Sequence, residues 1–209
     1  DGAVGALYTR VEPVRVGQDD DWHEVFTGSE HTCGRRADGT VWCWGVGSAL
    51  GDGGGSLFSS EPVMIAGPAS WSALPRGTAG DHTCAIAEDR TVWCWGAGDR
   101  GQLGNGERID SAEPVAVDLD GDAIRVSVSW GRSCAVLDDG ALACWGSNTN
   151  GVLGLPESTI DSAVPVLVQA DREWTDVRLG GGHVCATDTR DAPWCWGRND
   201  SGQVGDHTS

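Results

Sequence analysis

The stretch "HTCGRRADGTVWCWG" at residues 31–45 returns three times in this chain of 209 residues. Its copies are "HTCAIAEDRTVWCWG" at 82–96, "RSCAVLDDGALACWG" at 132–146 and "HVCATDTRDAPWCWG" at 183–197. The first cysteine of each copy recurs in steps of 51, 50 and 51 residues, at Cys33, Cys84, Cys134 and Cys185. A constant step of this size indicates a repeat architecture.

A second set of residues keeps the same period. Each unit carries a Pro-Val segment, at Pro13, Pro62, Pro114 and Pro165, and three of the four have a tryptophan nine residues later, at Trp22, Trp71 and Trp174. The fourth register holds Ala123. Four short β segments separated by turn residues in about 50 residues match one propeller blade. We therefore expect an all-β propeller of four-stranded blades, forming one domain over 1–209 with repeat units at about 1–51, 52–104, 105–154 and 155–209.

The cysteine pairs follow from the geometry of a hairpin. If Ala37-Asp38-Gly39 forms a three-residue loop with Gly39 in the left-handed position, Cys33 faces Cys43 in a non-hydrogen-bonded pair. Side chains approach closely there, so a cross-strand disulfide can close. The same register predicts the disulfides Cys33–Cys43, Cys84–Cys94, Cys134–Cys144 and Cys185–Cys195, which use all eight cysteines.

Zinc binding is the alternative use of these cysteines. A His-x-Cys-x9-Cys set offers three ligands, but zinc cysteines usually lie two to four residues apart. The third copy also has Arg132 where the others have histidine. The pattern favours disulfides, which persist outside the reducing cytosol, so we expect a secreted or cell-surface protein.

The tryptophans divide into repeated and unmatched ones. Those at the end of each hairpin, Trp44, Trp95, Trp145 and Trp196, are expected to be wedges between blades, with sugar stacking as the functional alternative. Trp130 has no counterpart and precedes a hairpin, which makes it the better candidate for binding.

Composition excludes several functions. There are 31 acidic and 14 basic residues, a net charge of −17, which disfavours nucleic-acid binding. No apolar run is long enough to span a membrane, so we expect no membrane insertion. The chain begins at Asp1 without a methionine or a leader, which suggests a processed or excised piece.

The candidate binding residues lie in the turn before each hairpin. These turns differ from unit to unit, as expected of a rim that reads a partner, and supply Glu30, His31, Asp81, His82, Trp130, Arg132 and His183. The histidines have a structural alternative, which is hydrogen bonding to backbone within their own blades. "DLDGD" offers Asp118, Asp120 and Asp122 as a weak calcium candidate, although it lacks a later bidentate glutamate. No other cofactor is expected.

The pattern "PVxV…W..V..G..HTC…DGTVWCWG…GQLG" resembles the repeat of the regulator of chromosome condensation family over essentially the whole chain. The resemblance implies a propeller, usually with seven blades. Disulfides and acidity make this chain similar to a secreted bacterial type of member, or a fragment of one. Four units then form either a slice of a larger ring or a small closed ring. The likeness of "DGAVG" at 1–5 to "SGQVG" at 201–205 favours the slice.

No triad order, nucleotide loop or carboxylate pair stands out, so we expect no enzyme. The sequence predicts a non-catalytic extracytoplasmic scaffold that binds a protein or another macromolecule through loops on one rim. The alternative is a structural segment of an adhesin or filament, which assembles through its open blade edge by self-association or by pairing with missing blades.

Overall fold

Four β-sheets, one for each repeat and antiparallel except for one short added strand, make up the computed structural model of the chain. The structure describes residues 10–54, 57–77, 80–156, 159 and 161–208. The turn-like "DGAVG" at 1–5 lies outside these ranges. The all-β class and the blade architecture predicted from the repeat are confirmed.

The strands follow one another in chain order. The first blade contains β1 (Trp22–Thr27), β2 (His31–Arg36), β3 (Val41–Val46) and β4 (Phe58–Met64). The second contains β5 (Trp71–Ala73), β7 (His82–Ala87), β8 (Val92–Gly96) and β9 (Ser111–Ala116), with β6 (Arg76–Gly77) between the first two. The third contains β10 (Ala123–Ser129), β11 (Arg132–Leu137), β12 (Leu142–Ser147) and β13 (Asp161–Leu167). The fourth contains β14 (Trp174–Leu179), β15 (His183–Asp188) and β16 (Pro193–Gly197). Short 3-10 helices span Ser48–Leu50 and Thr149–Gly151.

The repeat units read from the sequence are out of phase with the blades. Three of the four Pro-Val segments, those with Pro62, Pro114 and Pro165, form the outermost strand of the blade that precedes them in the chain: β4, β9 and β13 pair with β3, β8 and β12. A blade therefore begins at the tryptophan strand and ends in the next unit. Within the described residues, the fourth sheet has three strands.

The hairpins have the register that the loop count predicts. Cys33 lies opposite Cys43 and Arg35 opposite Val41, while Gly39 has a φ of 83°. The structure contains the four disulfides of the expected pairing, with Cα–Cα distances of 4.1, 4.0, 4.0 and 4.2 Å in chain order. Each bridge joins the two inner strands of its own blade, and all eight half-cystines are enclosed or half-enclosed by the neighbouring strands.

The repeated tryptophans join each blade to the one before it. Trp95 Nε1 donates to the carbonyl of Ala49 at 2.9 Å, Trp145 Nε1 to that of Gln102 at 2.8 Å, and Trp196 Nε1 to that of Val152 at 2.8 Å. Trp95 and Trp145 are completely buried. These three tryptophans are wedges between blades, as predicted, and they hold the loops of neighbouring blades in fixed relative positions, whereas Trp44 packs against Trp22 of its own blade at a ring-centroid distance of 5.8 Å.

The second unit is two residues longer than the first and fourth between its tryptophan and its first cysteine, and this insertion has a structural effect. Arg76 and Gly77 form β6, which leaves the second blade and pairs in parallel with β10 of the third. Gly77 has a φ of 121°, and a Cβ there would lie 2.2 Å from the carbonyl oxygen of Val128, so the close approach requires glycine. The insertion thus ties two blades together beside the rim.

No helix in the described part of the chain is long and apolar enough to cross a membrane.

Candidate binding cleft between the second and third blades

A cleft opens on the rim where the second and third blades meet. It has a volume of about 370 Å³ and brings together three of the residues predicted for the rim: Asp81, Trp130 and Arg132. Asp81 precedes β7, and the Trp130-Gly131 loop joins β10 to β11. The remaining wall comes from the turn after β8, with Asp99, Arg100 and Gln102, and from Ser147 at the end of β12 and Thr149 just after it.

Trp130 supplies the apolar part of this cleft. Its side chain is 55% exposed, whereas the repeated tryptophans of the same two blades are completely buried. It stands at the tip of a tight hairpin whose Gly131 has a φ of 68°. A large exposed indole on a short, fixed loop provides contact area with little loss of conformational entropy on binding.

Arg132 supplies the charge. The residue is 5% exposed, its Nε donates to the carbonyl of Trp130 at 3.3 Å, and its Nη1 is buried with no hydrogen-bond partner among the described residues. Burial and the like charge of Arg100 lower the pKa of Arg132, and Asp161 partly opposes them. Because a guanidinium stays protonated at neutral pH, a buried, unpaired N–H of this group favours an acceptor.

The turn after β8 holds the second arginine in place. Gln102 fixes the turn, since its Oε1 accepts from the backbone N–H of Arg100 at 2.8 Å and its Nε2 donates to Asp99 at 3.2 Å. Arg100 Nη1 lies 3.9 Å from a carboxylate oxygen of Asp161. The guanidinium is half-exposed, so this ion pair is weak and Arg100 can also reach a partner.

The other predicted rim residues lie elsewhere. His31 and His82 are 5% and 0% exposed, and they bond to hydroxyls of the next blade rather than to backbone of their own blade, so they are not part of a contact surface. Glu30 is exposed and His183 half-buried, on the first and fourth blades, and neither lines the cleft.

Sequence reasoning missed Arg100, Gln102 and Asp99. Arg100 precedes the first glycine of "GQLG", where the later units have Asn150 and Ser201. The same signal that singled out Trp130, a residue unlike its counterparts, was therefore present at Arg100.

The calcium candidate lies on the surface of the third blade. Asp118, Asp120 and Asp122 are all exposed, and Asp122 lies 3.9 Å from Arg90 Nη1. Among the residues that the structure describes, no group of three or more His, Cys, Asp or Glu side chains is arranged to hold a metal ion.

Comparison with known proteins gives the family. The profile of the regulator of chromosome condensation (RCC1) repeat matches residues 89–136 and 139–187, and a second profile of the same description matches 22–49 and 123–152. Together these ranges cover more than half of the chain. The chain belongs to the RCC1 repeat family.

Individual RCC1-repeat proteins resemble the chain over most of its length. Human E3 ubiquitin-protein ligase HERC2 is 29% identical over 186 residues, which are 86% of this chain and 4% of HERC2. The ultraviolet-B receptor UVR8 of Arabidopsis thaliana is 30% identical over 188 residues, which are 87% of this chain and 42% of the receptor. The chain thus spans less than half of either relative.

The fold likeness extends to solved structures. The structure of yeast RCC1 (Prp20) bound to Kap60 superimposes with a TM-score of 0.76 at 18% identity, covering 91% of this chain and 47% of the yeast chain. The four blades of this RCC1-repeat chain are therefore arranged like about half of a longer propeller.

Proposed function

We propose that this RCC1-repeat chain is a non-catalytic, extracytoplasmic binding scaffold that recognises a protein partner through the cleft between its second and third blades. The observation that carries the proposal is that one cleft contains an exposed Trp130 and an Arg132 whose buried Nη1 has no hydrogen-bond partner among the described residues. Yeast RCC1 has a protein bound in its solved structure, which supports protein binding as the use of such a propeller.

The chemistry of the cleft defines the feature that a partner would present. Arg132 and Arg100 offer N–H donors to a carboxylate, and Trp130 offers an apolar surface beside them. Asp81 and Asp99, which also line the cleft, limit its positive charge. The partner feature is therefore an acidic side chain next to an apolar one, placed in a loop or a segment that fits 370 Å³.

An extracytoplasmic location is proposed on the four disulfides. Cross-strand bridges of this kind persist where glutathione and thioredoxin do not reduce them. If the protein is isolated from its source in the presence of a thiol-blocking reagent, we expect mass spectrometry to find all eight cysteines unmodified by that reagent. Alkylated cysteines in the folded protein would contradict this location.

The cleft can be tested with immobilised protein and three variants. Trp130→Ala and Arg132→Ala remove the two anchors, and Phe58→Ala is the control, because Phe58 is 68% exposed on β4, away from the cleft. Extracellular proteins of the source organism are passed over each, and bound proteins are quantified. Loss of a central aromatic or arginine anchor typically costs 2 kcal/mol or more, about thirtyfold in affinity.

The proposal requires a protein that the wild type and Phe58→Ala retain and that both cleft variants lose. If a retained protein binds all four surfaces equally, the cleft is not the site. Because Arg132 is largely buried, melting temperatures of the variants are measured first, and Arg100→Ala, in a half-exposed position, serves as a second charge variant that leaves the core intact.

A further inference from the structure

A largely buried carboxylate lies beside the cleft, on the first residue of β13. The side chain of Asp161 is 10% exposed, and the residue lies opposite Ser147, which lines the cleft. One oxygen of this carboxylate lies 3.9 Å from Arg100 Nη1 and 3.6 Å from Arg108 Nη1. The other oxygen is buried and has no hydrogen-bond partner among the described residues. Asp161 therefore has unused acceptor capacity next to an arginine of the cleft.

The charge of this carboxylate acts on three guanidinium groups. Arg108 is held most firmly, because its Nη2 also donates to the backbone carbonyl of Asp161 at 3.0 Å. Burial lowers the pKa of Arg132, and Asp161 opposes that effect, so the carboxylate also stabilises the charged form of the buried guanidinium. A single carboxylate cannot satisfy the N–H donors of three arginines, and Nη1 of Arg132 is one that stays without a partner in the described ranges.

The position of Asp161 has a different role in each blade. It lies four residues before the proline of the outer strand, where the first blade has Phe58 and the second has Asp110. The carboxylate of Asp110 accepts from the backbone N–H of Gly98 at 2.9 Å, within its own blade. Asp161 instead faces two arginines from the loop of the preceding blade. Its contacts therefore indicate a role at the boundary between blades, where the cleft opens.

The side chain of Arg100 passes between this carboxylate and the cleft. A Cβ on Gly131 would lie 3.0 Å from Arg100 Cδ, so the aliphatic part of the arginine runs beside the loop that carries Trp130. The guanidinium at its end contacts Asp161 and also lines the cleft. Rotation of the last bonds of this side chain is enough to direct its N–H groups to either side.

We propose that Asp161 is an internal competitor of the partner carboxylate for Arg100. In the empty cleft, Arg100 and Arg108 share one oxygen of Asp161. When a partner binds, Arg100 turns to the partner carboxylate beside Arg132, and Asp161 keeps Arg108. The inference rests on the proposed binding of an acidic partner at this cleft, and it adds that Asp161 sets how strongly the partner carboxylate must bind.

The contacts favour this exchange. Arg100 is 51% exposed and its ion pair with Asp161 is long, so the pair is weak and can be given up at little cost. Asp161 is not left without a counter-ion, since Arg108 lies closer and has the additional bond to the backbone. A carboxylate between Arg100 and Arg132 would receive N–H groups from both, and such paired, charge-assisted bonds are stronger than a single ion pair.

Acetate, the simplest carboxylate, is the probe, and sodium chloride of equal ionic strength is the reference. NMR spectra of isotope-labelled protein follow the Nε–H signals of Arg100 and Arg108 and the indole N–H of Trp130. We expect acetate to shift the signals of Arg100 and Trp130 and to leave those of Arg108 nearly unchanged. Asp161→Asn should bind acetate about three- to fivefold more tightly, because nothing then competes for Arg100.

Arg108→Ala should have the opposite effect. Asp161 then has Arg100 alone as a close partner, so acetate should bind about three- to fivefold more weakly. Arg108 is 47% exposed and does not line the cleft, so its removal takes away no direct contact with the probe. Asp110→Asn and Arg125→Ala are the matched controls, because they make the same changes of net charge at exposed residues outside the cleft lining. Both should bind acetate as the wild type does.

Melting curves verify that the variants are folded. Acetate should raise the melting temperature of Asp161→Asn by more than that of the wild type, since a ligand of the folded state stabilises it in proportion to its affinity. Equal affinity of these two proteins for acetate, an equal effect of Asp110→Asn, or signals of Arg100 that never shift would each overturn the competition. The proposed function is decided separately, by the proteins that Trp130→Ala fails to retain, so it can stand where the competition fails.

Discussion

His82 Nε2 lies 2.8 Å from Ser133 Oγ, in a completely buried hydrogen bond that joins the second blade to the third. The hydroxyl also donates to the carbonyl of Gln102 at 3.0 Å, so the histidine must be the donor in the first bond. His31 and Thr83 make the same contact at 2.6 Å across the previous boundary. At the boundary between the third and fourth blades, Val184 occupies the position of the hydroxyl residue, and Arg132 occupies the position of the histidine. Histidine is present at these two boundaries together with a hydroxyl on the following blade.

Ser133→Ala tests this link between blades. It leaves the Nε2–H of His82 without a partner in the core, which we expect to lower the free energy of unfolding by about 1–3 kcal/mol. The carbonyl of Gln102 keeps its hydrogen bond from Trp145 Nε1. Chemical denaturation measures the change. Ser162→Ala is the control, because the Ser162 hydroxyl bonds to Val164 in an exposed segment, and it should change stability by less than about 0.5 kcal/mol. Equal effects of the two substitutions would contradict a special role for Ser133.

The sequence predicts the features that repeat in the chain. The spacing of cysteines around Asp38-Gly39 defines a hairpin register without reference to any other blade, and the structure has that register. The tryptophan wedges could be predicted for the same reason, since a residue present in every unit at a strand position must serve the packing of every unit.

Contacts between units could not be predicted in the same way. The sequence predicts His31 and His82 on the binding rim, with hydrogen bonds inside their own blades as the structural alternative. Neither anticipates the hydroxyl partners on the next blade, about 50 residues further along the chain, because a single repeat does not show which neighbour faces it. The boundaries of the blades could not be predicted for a related reason. The sequence does not show whether a Pro-Val strand pairs with the hairpin before it or with the hairpin after it. The cleft is formed where two blades meet, so it depends on such contacts between units. Of its lining, the sequence predicted only Trp130, Arg132 and Asp81.

The same histidines predict how stability changes with pH. Burial lowers the pKa of His31 to about 4 and that of His82 to about 3, from an ordinary value of 6.5. Between pH 6.5 and 4 the unfolded chain binds more protons at these sites than the folded one, so stability is full above pH 6.5 and falls as the pH is lowered. The slope is at most about 1.4 kcal/mol per pH unit for each histidine.

Melting temperatures between pH 7 and 4 check this expectation. His31→Asn/His82→Asn should be less stable at pH 7 but should flatten the curve above pH 4, whereas His207→Asn, at an exposed position, should leave its slope unchanged. Hydrogen bonds from Thr40 and Thr91 lower the pKa of Asp38 and Asp89. Their stabilising effect is therefore constant above their ordinary pKa of 3.8 and is lost only below it, outside the range of this measurement. An unaltered slope in the double variant would show that other groups cause the pH dependence.

The disulfide of the third blade should contribute strongly to stability. Cys134→Ala/Cys144→Ala removes a bridge with a sequence separation of 10, and the entropy of so small a loop corresponds to about 2–3 kcal/mol. The two residues are 1% and 0% exposed, so loss of packing adds to the effect. Denaturation of the variant and the wild type, both without reductant, measures it. Reductant should then destabilise the wild type by more than it destabilises the variant, which has one bridge fewer to lose.

Asp191 occupies a backbone conformation that favours glycine. Its φ is 61°, at the hairpin position where the first and third blades have Gly39 and Gly140, with φ of 83° and 85°. Asp191→Gly relieves this strain, and we expect about 0.5–1 kcal/mol of added stability, which raises the melting temperature by about 1–4 °C. Gly140→Asp is the reciprocal change. It should destabilise by more than that, because its Cβ would also lie 3.0 Å from that of Glu173. Because the two substitutions exchange the same residues at equivalent turns, a change of the same sign in both would rule out backbone conformation as the cause.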